Sequence, residues 1–114
     1  MIEHAQDGAL TFVEDILTAA PVVAGRVKPS SVLKIRETSV IVFAFDTGME
    51  LREYHAPVAV LLQVLDGQVT VTAAGQTIDM RVGGLLHIAA DVPHSVVATE
   101  PSRLQLTILG TGHP

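Results

Sequence analysis

Short runs of apolar and β-branched residues, separated by turns, cover the chain from residue 31 almost to its end. Val69 and Val71 alternate with polar residues, which is the period of two that a half-buried strand requires. Runs typical of strands lie at 32–36, 39–46, 58–65, 68–73, 76–80, 85–89, 94–99 and 103–109. At least eight short strands with no helix between them predict an all-β fold, an antiparallel sandwich or barrel.

Two glycine-containing pairs predict turns between successive strands. Asp66-Gly67 separates the run at 58–65 from the run at 68–73, and both of its residues tolerate a positive φ angle. This pair therefore predicts a tight hairpin. Ala74-Gly75 predicts a second turn, which leads into 76–80.

The first 30 residues differ from the rest and predict an arm ahead of the barrel. Apolar residues recur at helical spacing between positions 10 and 20, Thr11 and Glu14 are spaced as a capping box, and Pro21 ends the pattern. A short helix is predicted here, although Thr11, Phe12 and Val13 also suit a strand. Residues 1–9 are predicted as a loose arm and 22–31 as a connection.

The composition excludes several classes of function. The chain has 114 residues, no cysteine and a net charge of −5, with only seven Lys and Arg residues. Disulfides, iron–sulfur clusters and thiolate zinc sites are therefore excluded, which leaves His, Asp and Glu as the strong metal ligands. An acidic chain with few scattered cations is unsuited to a nucleic-acid backbone.

The hydrophobic fraction of 48% and the mean hydropathy of +0.44 are high for a small single domain. A second copy of the chain is the simplest partner that would cover the excess apolar surface, so we expect a homodimer. No apolar run approaches the roughly 20 residues that a membrane span needs. The start MIEHAQDG also lacks the basic and apolar regions of a signal peptide, and a cytoplasmic protein is predicted.

Glu53, His55 and His94 are the candidate site residues. Glu53 and His55 are two residues apart and would point to the same face of a regular strand, while His94 follows Pro93 at the start of another strand. If these side chains meet inside a barrel, two imidazoles and a carboxylate form the donor set of non-haem iron sites. Alternatively, each histidine is a half-exposed, hydrogen-bonded residue.

Two stretches that contain these residues resemble the two motifs of the cupin superfamily. Gly48 and Gly67 match the glycines that open and close the first motif, and His55 lies twelve residues before Gly67, as that motif's second histidine does. Gly83 opens the second motif, and His94 stands at the position of its histidine.

The resemblance covers about residues 31–109 and implies a known fold. It implies an antiparallel cupin β-barrel, also called a double-stranded β-helix or jelly roll, over residues 31–110. An N-terminal arm with a short helix or irregular structure would occupy residues 1–30, within a single domain overall.

The resemblance also implies a divalent metal, Fe, Mn, Ni or Zn, at the barrel mouth. His55 and His94 occupy ligand positions, and Glu53 falls near the position of the motif's first histidine. Val60 stands where the family has a glutamate, so that ligand is missing. His87, on the strand that leads to His94, is either a fourth inward donor or a packed strand residue.

Three functions follow from these observations. The first is a metal-dependent enzyme, of dioxygenase type for example, that acts on a small molecule through Glu53, His55, His87 and His94. The second is a metal-free module that binds or senses a small ligand. The third is a purely structural role in oligomerisation.

Overall fold

Nine β-strands and one short helix make up the part of the chain that the computed structural model describes, which is residues 9–110 without the side chains of Glu53 and Tyr54. The helix α1 spans Ile16–Ala19. The strands are β1 Val27–Ile35, β2 Thr38–Phe45, β3 Glu50–Tyr54, β4 Val60–Asp66, β5 Gln68–Ala73, β6 Gln76–Arg81, β7 Leu85–Ile88, β8 His94–Ala98 and β9 Ser102–Leu109. The predicted all-β antiparallel barrel is confirmed.

The strands form two antiparallel sheets. Sheet A has the order β1-β2-β9-β4-β7, and sheet B has the order β3-β8-β5-β6. Residues 68–73 form a strand with the predicted bounds, and the other predicted strands shift by a few residues at their ends. No helix in the described part of the chain is long and apolar enough to cross a membrane.

The main core lies between the two sheets because alternate residues of each strand face inward. On β4, Val60, Leu62 and Val64 are buried, and on β5 Val69 and Val71 face them from the other sheet. The residues between them face away from the core. This alternation is the pattern that the sequence showed at 68–73.

Gly67 is a corner between the sheets and does not form the hairpin predicted for Asp66-Gly67. β4 pairs with β7 and β9, whereas β5 pairs with β6 and β8, so the two strands that flank Gly67 belong to different sheets. The turn is formed, with φ +81° at Gly67, but its direction is set by the packing of the sheets. The hairpin lies one turn later, where Ala74 and Gly75 both have positive φ between β5 and β6.

The helix is shorter than the predicted 10–20. Asp15 caps it, because its Oδ1 accepts hydrogen bonds from the Leu17 and Thr18 amides at 3.1 and 3.3 Å. The predicted capping box at Thr11 and Glu14 is wrong. The side chain of Asp15 caps a helix that starts later, and the β-branched residues before Asp15 disfavour a helical conformation. Predictions for residues 1–8 lie outside the described residues.

The segment around α1 packs on the outer face of sheet A. Ala20 is fully buried with Val32 and Val42. Arg103 of β9 holds the segment there, because its Nε donates to the Ala20 carbonyl at 2.7 Å and its Nη1 donates to Asp66 Oδ2 at 2.7 Å. The division into an arm at 1–30 and a barrel at 31–110 stays a prediction.

β1 starts at Val27, inside the region that the sequence predicted as a connection at 22–31. Pro29 lies within this strand, opposite Phe43. Proline has no amide hydrogen to donate, so strands tolerate it at a sheet edge, and β1 is an edge of sheet A.

Candidate functional site

A cleft of about 370 Å³ opens between the free edges of the two sheets, β6 of sheet B and β7 of sheet A. Its walls come from the β5–β6 hairpin, from β7 and from the loop between β7 and β8. The apolar lining residues are Ala73, Ala74, Ile78, Leu86, Ile88, Ala89 and Val92.

The polar side chains of the lining are Gln76 and His87. None of the Lys, Arg, Asp and Glu side chains that the structure describes belongs to the lining. Among the described residues, the carboxyl groups with a clearly lowered pKa are those of Asp15 and Asp46, and neither lines the cleft. The cleft is therefore a largely apolar recess with two polar lining residues.

His94 is buried beside this cleft, with 2% of its surface exposed. It opens β8 and pairs with Ala73, a lining residue, so the register of β5 and β8 places it on the inward face. Its Nδ1 donates a hydrogen bond to the Val92 carbonyl at 3.0 Å, which fixes the orientation of the ring. The predicted inward position of His94 agrees with this geometry.

His55 lies outside the barrel interior. It follows the last residue of β3, its side chain is 62% exposed, and its Nδ1 is 3.8 Å from Asp91 Oδ1, which is also exposed. The strand irregularity between Leu51 and Tyr54 interrupts the alternation on which the pairing of Glu53 with His55 depended. The Glu53 side chain lies outside the described part.

His87 is exposed at the rim of the cleft. It alternates along β7 with Leu86 and Ile88, which pack into the core, so it does not lie in the barrel interior. Val60, at the glutamate position of the motif, is 1% exposed and belongs to the core.

The described donors do not fit a metal site. Within the residues that the structure describes, no three His, Asp or Glu side chains come together closely enough to hold an ion. His94 is buried, whereas His55 and His87 are exposed and lie on different elements. The four-residue set of Glu53, His55, His87 and His94 stays a prediction.

The sequence interpretation missed most of the cleft. Gln76, Ile78 and Leu86 carry no sequence signal that separates a cleft wall from a core, because the same residue types build both. The Ala74-Gly75 turn was recognised, but its position at the mouth follows from the pairing of the sheets.

The loop between β7 and β8 is hydrogen-bonded to the connection between β3 and β4. Asp91 has φ +64°, and its amide donates to the Ala56 carbonyl at 2.7 Å. This bond holds Val92 and Ala89 in the wall of the cleft. Aspartate is common in turns because it tolerates this left-handed conformation.

A family model described as a cupin domain matches residues 41–109, a range that includes every residue lining the cleft. Among curated proteins, none matches the chain.

Many solved structures have the same architecture. A conserved protein of unknown function from Streptococcus pyogenes has a TM-score of 0.80 at 21% identity, covering 96% of this chain and 91% of that one. A cupin superfamily protein from Desulfitobacterium hafniense has a TM-score of 0.75 at 18% identity, covering 80% of this chain and 84% of that one. An RmlC-like cupin from Desulfovibrio desulfuricans has a TM-score of 0.76 at 22% identity, covering 85% of this chain and 94% of that one. At such identities the likeness concerns the fold alone.

Proposed function

The chain belongs to the cupin domain family, and we propose that it binds a small, uncharged and largely apolar organic molecule in the cleft between β6 and β7. The observation that carries this proposal is the lining, in which seven of the nine residues are apolar. Ligand sites are commonly concave and apolar, with a few polar groups that orient the ligand.

The volume of the cleft limits the size of the ligand. About 370 Å³ is near the lower end of the roughly 300–1,000 Å³ that ligand pockets span. A molecule of one or two rings fits this space. The Gln76 amide offers one donor group and one acceptor group, so a single hydroxyl or carbonyl on the ligand could bond to it.

The described lining includes no Lys, Arg, Asp or Glu residue, and this selects against ionised ligands. A charged group that enters the cleft loses water without gaining an ionic partner, which costs several kcal/mol, on the order of that for other unpaired buried charges. The net charge of −5 adds a repulsion for anions. Neutral molecules should therefore bind in preference to acids of the same shape.

Metal-dependent catalysis by Glu53, His55, His87 and His94 stays a prediction from the sequence. The proposed binding function depends on the cleft lining and requires no ion. The proposed function is therefore that of a metal-free module that binds a small ligand.

Thermal unfolding with phenol, cyclohexanol and benzoate tests the proposal. A ligand that binds only the folded chain stabilises it by about 2.7 kcal/mol at a hundred times its Kd. We expect phenol or cyclohexanol to raise the unfolding temperature and benzoate, an anion of similar size, to raise it less.

Two neighbouring alanines provide a matched pair of variants. Ala89 lines the cleft and Ala90 does not, although both are exposed in the same loop. Ala89→Leu should reduce the ligand-induced shift, whereas Ala90→Leu should preserve it. The proposal fails if none of the three probes shifts the unfolding temperature, or if Ala89→Leu responds as the wild type does.

A further inference from the structure

We propose that the ligand of the cleft is an uncharged peptide unit, which pairs like a short strand with the open edge of β7 through the backbone of His87. A peptide unit here means one residue that is acylated on its nitrogen and carries an amide on its carbonyl. The open edge is the side of β7 that faces away from β4. This proposal rests on the proposed function, because it names the class of neutral molecule that the cleft binds.

The lining shows that the cleft follows the edge of β7. Leu86, His87 and Ile88 are consecutive residues, and all three line the cleft. Consecutive side chains of a strand point to opposite faces of a sheet, so a cavity on one face contacts only alternate residues. A cavity that contacts all three runs along the edge of the strand. β7 is the last strand of sheet A, and no described strand pairs with its open edge.

The backbone hydrogen bonds of β4 have a fixed direction. Ala59, just before β4, accepts a hydrogen bond through its carbonyl from the Leu109 amide of β9 at 3.1 Å. Successive residues of a central antiparallel strand direct their backbone groups to opposite neighbours. Val60 and Leu62 therefore direct their amides and carbonyls to β7.

The same alternation fixes the direction of the backbone groups on β7. Val60 lies opposite Ile88 and Leu62 lies opposite Leu86, so these two residues of β7 bond to β4. His87 lies between them, and its amide and carbonyl point away from β4. The open edge thus presents one backbone donor and one backbone acceptor to the cleft.

A proline at the other edge of sheet A agrees with this alternation. Since Leu109 bonds to β4, Leu104 of β9 bonds to β2, where it lies opposite Phe43. The residue opposite Phe43 on β1 must then direct its backbone groups outward. That residue is Pro29, which has no amide hydrogen to donate.

The composition of β7 distinguishes it from the other strands at sheet edges. Natural sheets protect such strands against pairing with charged side chains, prolines or bulges. β1 contains Lys28 and Pro29, β3 contains Glu50, and β6 contains Asp79. β7 has the sequence LLHI and contains neither Lys, Arg, Asp, Glu nor proline. Its edge therefore suits pairing, and its length of four residues limits the partner to a short one.

The geometry of the edge selects the chemical class of the ligand. A strand residue offers its N–H and its C=O on the same side, and the residue opposite exchanges both hydrogen bonds with it. A single trans amide cannot do so, because its N–H and C=O point in opposite directions. The smallest suitable partner is a residue between two amide groups. Its N–H donates to the His87 carbonyl, and its C=O accepts from the His87 amide.

This pairing places the apolar ends of the ligand in the cleft. In the antiparallel orientation the acyl group lies beside Ile88 and the amide substituent lies beside Leu86, and both of these side chains face inward. A side chain on the central residue would instead lie on the face of His87, outside the cleft. Glycine is therefore sufficient at the centre, and benzoylglycine N-methylamide is the simplest probe of this class.

Calorimetric titration with benzoylglycine N-methylamide and with its ester analogue tests the ligand class. The analogue has an ester oxygen in place of the glycine N–H, and both molecules are uncharged and of the same size. The ester cannot donate to the His87 carbonyl. We therefore expect its Kd to be about tenfold higher than that of the amide.

Two substitutions of one residue test the position. His87→Pro and His87→Ala both lack the imidazole, but only proline also lacks the amide hydrogen. We expect His87→Pro to bind the N-methylamide about tenfold more weakly than His87→Ala does. Lys34 lies opposite Ser39, an outward position of β1 equivalent to that of Pro29. Lys34→Pro is the control for a proline in an edge strand and should keep the wild-type Kd within about twofold.

Circular dichroism shows whether each variant is folded, and the comparison of amide with ester decides alone if His87→Pro is not. Equal binding of amide and ester, or equal binding by folded His87→Pro and His87→Ala, overturns the proposal. A change in the mass of His87→Pro in light scattering also overturns it, since β7 would then pair with a second copy. If phenol or cyclohexanol still stabilises the chain, the proposed function survives these results. If no probe binds, both proposals fail.

Discussion

Gly67 lies at the corner where the chain passes from one sheet of the barrel to the other. Its φ of +81° is accessible to glycine at little cost, and a Cβ added there would lie 2.5 Å from the Pro101 carbonyl oxygen and against the Ser102 hydroxyl. Ser102 is fully buried, and its hydroxyl accepts a hydrogen bond from the Gln68 amide at 3.0 Å. The corner is therefore tightly packed around the missing side chain.

Gly67→Ala should destabilise the fold more than Gly75→Ala. Both positions have positive φ, which costs an alanine about 1 kcal/mol. Only Gly67 has neighbours in the way, since a Cβ at Gly75 meets nothing within 4 Å. The extra overpacking should add about 1–3 kcal/mol to the loss in the free energy of unfolding, measured with urea. Equal losses in the two variants would contradict the packing argument.

Asp46 makes the stability of the β1–β2 edge dependent on pH. Its Oδ2 accepts the Gly25 amide at 2.6 Å and its Oδ1 accepts the Thr47 amide at 2.8 Å. The Gly25 bond, and then the Thr47 bond, lower the pKa of the Asp46 carboxyl below its ordinary 3.8. A lowered folded-state pKa means that the carboxylate adds stability above 3.8, and that this stability is lost as the pH falls through the folded-state pKa.

Asp46→Asn should therefore lower the Tm at neutral pH and have a smaller effect at a pH below the ordinary aspartate value of 3.8. Thermal unfolding at the two pH values measures the difference. Glu37→Gln, which removes an exposed carboxylate on the β1–β2 turn, is the control for general charge effects. If the decrease in Tm caused by Asp46→Asn is the same at both pH values, the charge of the carboxylate does not contribute to stability.

The N-terminal segment shows that an element too short to be stable alone can be ordered by one side chain of another element. An isolated four-residue helix lacks the length to persist in water. Burial of Ala20 and the two hydrogen bonds of Arg103 provide the stabilisation that this short helix cannot provide by itself. The boundaries of α1 were poorly predicted because these stabilising groups are more than 80 residues away.

Arg103→Met should release this segment from sheet A while the barrel remains folded. Removal of the guanidinium leaves the Ala20 carbonyl and the Asp66 carboxylate without these bonds, at a cost of about 1–3 kcal/mol. Hydrogen–deuterium exchange should become faster in residues 10–26 and change little in β5. Arg81→Met, which removes an exposed arginine from β6, is the matched control. Unchanged exchange in residues 10–26 would contradict the role of Arg103.

For the whole molecule, the way the two sheets meet places an apolar cleft at the mouth, between β6 and β7. His94 reaches the interior because its position in the register of β8 with β5 directs its side chain inward. His55 follows the end of β3 and is exposed. The sequence positions of the two histidines match the cupin motifs equally well. Their environments differ because β3 is irregular at its end.

Elemental analysis tests this difference. His55→Ala should contain the same amount of iron, manganese, nickel and zinc as the wild type, because His55 is exposed beside Asp91. The untagged proteins are expressed with all four metals available, and Ala90→Leu serves as an unrelated variant of the same mouth. A lower metal content in His55→Ala than in the wild type would show that His55 is a metal ligand.

Local sequence was sufficient to predict an antiparallel sandwich or barrel and the position of most of its strands, because the period of two along each strand is a property of neighbouring residues. The start of β1 and the strand β3 were not among the predicted runs. Local sequence also predicted His94 as an inward residue, and the Ala74-Gly75 turn. Only the tertiary structure decided that Gly67 joins two sheets, that His55 and His94 lie in different environments, and that Gln76 and Ile78 line a cleft. Each of these depends on which strands pair and how their edges meet, and such contacts join residues far apart in the chain.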